Sequence, residues 1–269
     1  MPGDTRRITG PEVTFNLYTF VKSDVNEETV KADARSDGRK TEEVRPLFLR
    51  AGVTSQAHGS AYIEQGQTKV ICSVYGPREV LRKEDFSMKG QLTCEFKFAT
   101  FSCRQRRQHQ QDSQEKDYSV QILEALEPAV CLHKFPKAQV NIYITVLQND
   151  GSALAASITC ASVALADAEI EMYDLVAGCS SRVFGGHVLM DPTDHEEYRQ
   201  QSKNHEGGSV TVGLMPSLNQ ISALTSRGEI EFSLVNKAVK QCVETCQRLY
   251  PVLQAALMKS LKHKLKETT

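Results

Sequence analysis

VLQNDGSALAASITCASVALADA, running from Val146 to Ala168, changes its periodicity once, at a tight turn. Val140 to Gln148 reads as a strand that the turn NDGS closes. Beyond it, Ala153 to Ala166 is apolar on nearly every side, the mark of a helix buried between layers. Strands and helices alternate outward from this unit without a break in composition, which predicts one α/β or α+β domain. A strand–turn–helix of this kind can also bind an anion on the exposed amides of the helix N-terminus. Such sites are normally completed by a cation or paired hydroxyls, and the first turn offers only Ser152, Ala153 and Leu154. The residues alone therefore predict that Asp150 or Ser152 caps the helix.

Upstream, SAYIEQGQTKVICSVYG (Ser60 to Gly76) places two β-rich runs around Gly66, a hairpin. Leu92, Cys94, Phe96 and Phe98 alternate with Thr93, Glu95 and Lys97, a half-buried strand. A loop without apolar residues, Arg104 to Gln114, precedes an amphipathic helix marked by Ile122, Leu123, Leu126 and Val130. Pro128 should kink or restart that helix. Downstream, Val188 to Met190, Val210 to Met215 and Gln220 to Leu224 read as strands. A long helix comes next from about Phe232, with Val235, Ala238, Val239, Cys242, Cys246 and Leu249 on one face and a kink expected at Pro251. Met1 to about Lys40 is polar, apart from a modest apolar stretch at Phe15 to Val21, and order is expected from near Arg45.

Composition narrows the function classes. Hydrophobic residues make up 40% and charged ones 24%, ordinary values for a globular protein. No apolar run approaches the roughly 18 residues that span a bilayer, and Met1 to Gly10 has no apolar signal region. These readings predict no membrane association and residence in the cytosol or nucleus. The eight cysteines contain no C-x-x-C pair, which disfavours zinc ribbons and thioredoxin-like sites and predicts reduced, structural thiols. A net charge of -1 confines any nucleic-acid contact to a local patch.

One such patch is visible. Arg104, Arg106 and Arg107 share a loop with His109 and several glutamines. Guanidinium forks suit phosphate oxygens, and a cluster of them grips a backbone regardless of sequence. A solvated polar loop is the competing reading. Asp191, Asp194, Glu196 and Glu197, with His195 among them, form an acidic stretch that suits a divalent cation or acid–base work, or simply an exposed turn. Nucleophile elbow, Walker loop and H-E-x-x-H motifs are absent from the sequence.

Five stretches in order resemble the RNase PH family. They are RSDGR (Arg35 to Arg39) with VRPLFLRAG after it, then AHGSAYIEQGQTKVICSVYGP, QILEALEPAV, VLQNDGSALAASITCASVALADA and LMDPTDHEE. The resemblance implies an α+β fold, the RNase PH-like (ribosomal protein S5 domain 2-like) βαβ-type domain, over residues 35–269, with 1–34 as an N-terminal extension. Active members read Gly-Gly-Thr-Arg after the turn aspartate and hold the attacking phosphate with its hydroxyl and guanidinium. Gly151, Ser152, Ala153 and Leu154 stand there instead, a vestigial phosphate loop that forfeits about 2–4 kcal/mol of phosphate binding. The family's acid pair maps onto Asp191 and Glu197, but the downstream V-D-x-N is missing. MPGDTRRITGPE and QRLYPVLQ further resemble ring subunits of the eukaryotic RNA exosome.

Such a resemblance implies a catalytically silent subunit with no cofactor, no catalytic residue and no metal. Its implied partners are RNA, other RNase PH-like ring subunits and S1/KH cap subunits, in nucleus, nucleolus and cytoplasm. Its implied work is to scaffold the complex and guide RNA for 3′-5′ processing and decay, in rRNA maturation and mRNA turnover. Arg104, Arg106 and Arg107 match family arginines that line the RNA path. The rivals are an active phosphate-dependent exoribonuclease, which Leu154 opposes, and a ring segment that never touches RNA, which the arginines oppose.

Overall fold

The computed structural model describes residues 35, 37–80, 88–104, 106–197 and 207–267. The extension expected over residues 1–34 lies outside them. Five strands form the first sheet: Leu47–Ala51 (β1), Gly59–Gln65 (β2), Thr68–Glu79 (β3), Gln91–Phe98 (β4) and Ala138–Gln148 (β5). Their order is β1-β2-β3-β5-β4, antiparallel except for the parallel pair β4 and β5. Helix α1 (Ser113–Leu126) crosses between that parallel pair and makes the βαβ unit. The expected hairpin is β2–β3, turning at Gly66 with a φ of +60°. Along β3, Val70, Cys72 and Val74 are buried while Lys69, Ile71 and Ser73 are half-exposed, so this sheet has one packed and one open face.

Helix α1 starts in a capping box in which Glu115 accepts from the Asp112 amide at 2.9 Å. The same buried carboxylate accepts from the Phe98 amide at 2.9 Å and so ties the helix start to the end of β4. Pro128 ends the helix: the chain passes after Leu126 into a single 3-10 turn, Glu127–Ala129, where a missing N–H costs least.

Helix α2 (Ala153–Asp167) is buried along nearly its whole length between the two sheets. The second sheet holds Ala177–Phe184 (β6), His187–Met190 (β7), Gly207–Met215 (β8) and Gln220–Gly228 (β9), antiparallel in the order β7-β6-β8-β9. A short helix, Asp194–Glu197 (α3), comes after β7. Helix α4 (Phe232–Glu267) covers the outer face of the second sheet with Ala238, Cys242, Cys246, Leu253 and Ala256 buried. It runs on through Pro251, which is exposed, so the carbonyl left without an intrahelical donor can be hydrated. Val235, Val239 and Leu249, expected on the same face, are half-buried. All eight cysteines are free, and burial pushes the Cys72 thiol well above its ordinary range.

Strand β6 is the element whose packing explains its composition. It carries Ala177, Gly178, Cys179, Ser180 and Ser181, all buried and all small, because α2 presses on one face and α4 on the other. A Cβ at Gly178 would lie 2.4 Å from the Ala155 carbonyl oxygen of α2. Gly178→Ala should therefore destabilise the fold by about 2–3 kcal/mol, since backbone must move. Gly185→Ala, where φ is +56° and nothing lies within 4 Å, should cost only about 1 kcal/mol of backbone strain. Urea midpoints of the two variants measure the difference.

Candidate functional site

The turn after β5 and the loop after β7 are built against each other. Gly151 has a φ of +85°, and a Cβ there would lie 2.4 Å from the Pro192 carbonyl oxygen. Ser152 comes next, in the left-handed region at +54°, which aims its hydroxyl at the Pro192 carbonyl, 3.3 Å away. For that reason neither Asp150 nor Ser152 caps α2, contrary to the expectation from sequence. The Ser152 N–H donates instead to Oε1 of Glu197 at 2.7 Å. A side-chain carboxylate thus occupies the helix N-terminus, where the helix dipole favours negative charge. Ala153 and Leu154 are buried beside it.

The four carboxylates of the acidic stretch go to four different partners. Asp191 grips Arg45, with Oδ1 2.6 Å from Nη2 and Oδ2 2.9 Å from both Nε and the backbone amide. Glu196 accepts from Nε and Nη2 of Arg35 at 2.9 and 2.7 Å. Asp194 pairs with Nε of Arg104 at 2.9 Å, and Glu197 keeps the Ser152 amide. His195 is exposed. Asp191 and Glu197, the mapped acid pair, therefore answer to different groups. Among the described residues, no three His, Cys, Asp or Glu side chains converge as a metal-ligand set.

Their proton affinities separate accordingly. Burial pushes the Asp191 carboxyl up, but the hydrogen bonds and charge of Arg45 outweigh it and hold it below the usual range. Burial raises Glu197 to about 7, aided by the nearby charge of Asp194 and opposed by the Ser152 amide.

Arg35 and Arg45, which the sequence presents only as parts of a signature, are the anchors of this region. Arg45 donates to the carbonyls of Asp150 at 2.6 Å and Gly151 at 3.2 Å as well as to Asp191. Arg35 donates to the carbonyls of Met190 at 2.8 Å and Asp191 at 2.9 Å. Both are buried. A charged side chain near a chain start gives no sign in sequence that it will be enclosed.

The structure distinguishes the three loop arginines. Arg107 lies 4.1 Å over the Phe98 ring and donates to Gln114 at 2.8 Å, which fastens the loop to β4 and α1. Arg104 is exposed and leans on Asp194. Arg106 is exposed. Together they line a groove of about 780 Å³ that also presents Gln108, Gln110, Gln111 and Asn149.

Comparisons with known proteins fit this geometry. The model of the 3′ exoribonuclease family, domain 1 (RNase PH), matches residues 43–171. Exosome complex component MTR3 of Mus musculus is 41% identical over 98% of this chain and 98% of that protein. The Homo sapiens MTR3 is 39% identical over the same shares. Among solved structures, rice (Oryza sativa) Rrp46 superposes with a TM-score of 0.74 at 24% identity, covering 83% of this chain and 100% of that one.

Two outcomes are expected from the anchors and the acids. Arg45→Met should cost about 3–5 kcal/mol by stranding a buried Asp191 charge, and adding Asp191→Leu should recover part of it. Urea unfolding of the single and double variants reads both. Glu197 has a folded value near 7 against about 4.3 unfolded, so its stabilising contribution is complete in acid and is lost as pH rises through 7. Glu197→Gln should remove that decline while Asp191 continues to lose its contribution only in acid. Thermal midpoints between about pH 5 and 8 test the difference.

Proposed function

This chain belongs to the RNase PH family of 3′ exoribonucleases, and on that premise we propose that it is a non-catalytic ring subunit of the eukaryotic RNA exosome. Its work there is to scaffold the complex and to guide RNA toward 3′-5′ processing and decay. Its partners are other RNase PH-like ring subunits, S1/KH cap subunits and RNA, and its compartments are nucleus, nucleolus and cytoplasm. The full-length likeness to MTR3 exosome components supports this reading.

One observation carries the silence of the site: the Ser152 amide is already held by Glu197. An attacking phosphate would need that donor together with a guanidinium and a hydroxyl, and Leu154 and Ala153 supply neither. Asp191 is committed to Arg45 through both of its carboxylate oxygens. The vestigial loop Gly151, Ser152, Ala153, Leu154 and the vestigial pair Asp191, Glu197 then serve the fold rather than a reaction. The chain, incubated with 3′-overhang RNA, phosphate and magnesium, should release no nucleoside diphosphate above background. Phosphate-dependent release would overturn the reading.

For RNA guidance, Arg104 and Arg106 stand outward on the groove and Arg107 holds the loop that carries them. Arg104→Ala with Arg106→Ala should weaken RNA binding by the assembled ring and lower its log–log salt slope by about 0.7 for each phosphate no longer neutralised. Arg107→Ala should in addition lower the thermal midpoint, because Phe98 and Gln114 lose their partner. Affinities across a salt series, set beside melting curves, separate the two roles, and unchanged affinities would favour a purely structural subunit.

Edge strands β1 and β9 carry exposed Phe48, Ile221 and Leu224, the kind of surface that ring neighbours cover. The chain expressed alone should self-associate, and co-expression with RNase PH-like ring subunits should restore solubility, as size-exclusion chromatography would show.

A further inference from the structure

The first sheet ends at β4, and its hydrogen bonds show which backbone groups of that strand point outward. The Phe96 amide donates to Oγ of Ser119 at 3.0 Å and the Phe98 amide to Oε1 of Glu115 at 2.9 Å, both on α1. Gln111 donates to the Phe96 carbonyl at 3.3 Å, and the Gly90 amide donates to the Leu132 carbonyl at 2.8 Å. Every second residue of β4 therefore faces away from β5, as backbone groups alternate along a strand. Leu92 and Cys94 belong to that outward set. Among the described residues, no side chain or loop backbone takes their outward amides or carbonyls. The edge is thus covered at both ends by the protein's own groups and open between them, an arrangement that invites pairing with another strand.

Two cavities flank the open stretch and meet at Thr93. One, of about 390 Å³, is lined by Glu95, Lys116 and Ser119, and the other, of about 380 Å³, by Leu92, Leu123 and Leu132. Lys116, Ser119 and Leu123 recur at helical spacing, so one face of α1 forms the far wall. Val120 shares that face and is 53% exposed. A trough between an edge strand and a helix seats an extended peptide, whose backbone continues the ladder while alternate side chains enter the trough.

The sequence holds an apolar run of strand character that the fold above does not use, FNLYTFV from Phe15 to Val21, outside the described residues. The stretch from Val21 to Arg35 reaches up to about 45 Å when extended. Arg35 donates to the Asp191 carbonyl, Asp191 pairs with Arg45, and Arg45 donates to the Asp150 carbonyl. The neighbouring Asn149 amide donates to the Ser102 carbonyl just beyond β4. Cys94 lies no more than about 26 Å back along the chain from Ser102, within that reach.

We propose that Phe15 to Val21 of this same chain docks in the trough as an added strand on β4. Its backbone takes the outward groups of Leu92 and Cys94, and one set of its alternate side chains packs on Val120 and Leu123. This placement rests on neither the family reading nor the RNA path.

Hydrogen exchange tests it, read residue by residue on the full chain, both in the co-expressed ring and alone at low concentration. The Leu92 and Cys94 amides should exchange slowly in wild type. Leu17→Pro with Phe20→Pro places one proline in each alternate set, so whichever set faces β4 loses a donor. Exchange at Leu92 and Cys94 should then quicken about tenfold or more. Phe96 and Phe98, held by α1, should keep their rates and so report an intact fold. A chain lacking residues 1–23 should behave like the proline variant, and a synthetic peptide of residues 13–23 should restore its protection. Wild-type exchange at Leu92 and Cys94 as fast as in the proline variant overturns the proposal. Protection that appears only in the ring and survives both prolines assigns the edge to a neighbouring subunit, and protection lost on dilution assigns it to a second copy. Either result overturns the proposal as well.

Discussion

The buried ion pair between Arg45 and Asp191 is what the middle of this molecule is assembled around. Its guanidinium reaches the β5–α2 turn through the Asp150 and Gly151 carbonyls, and the loop after β7 through both oxygens of Asp191. Three segments far apart in sequence meet at one planar group. Two charges enclosed in this way are stable only when nearly every donor and acceptor is matched, and here the backbone supplies the missing acceptors. Arg35 repeats the arrangement on the same loop through Glu196. A chain that ties its loops with charge has committed those charges to structure.

That commitment disperses an acidic stretch that, in sequence, has the look of a metal or acid–base site. Each carboxylate has been drawn to a separate partner, so the charges that sequence proximity would pool are dispersed over the fold. Preorganised catalysis needs groups aimed at a reacting atom, and here Asp191 and Glu196 are aimed at the protein's own arginines. Retention of Asp191 is accounted for by folding, so the survival of the motif says little about the survival of a reaction.

Much of the architecture was legible because it obeys simple periods. The hairpin around Gly66, the alternation from Leu92 to Phe98 and the all-apolar helix from Ala153 each announce themselves. Strand β6 did not, because pressure from helices on both sides selects glycine, alanine and serine where β-propensity would select valine and isoleucine. Strand β1, short and at an edge, was passed over with it. In the site, the three loop arginines were visible as a cluster, but their division of labour was not, since the partner of Arg107 is Phe98 on the preceding strand. The open stretch of the β4 edge exists only through strand order and the reach of α1 side chains, and neither is written in any one segment.

The seat of Glu197 on the first turn of α2 also bears on inhibitor selectivity. A compound built to set an anion on this helix terminus in an active family member would meet, in this chain, a carboxylate that arrives tethered. An intramolecular competitor acts at an effective concentration that a free ligand reaches only in the millimolar range or above. Discrimination between this chain and an active member of the same fold would then draw on a competitor that never diffuses away, in addition to any difference in the pocket lining.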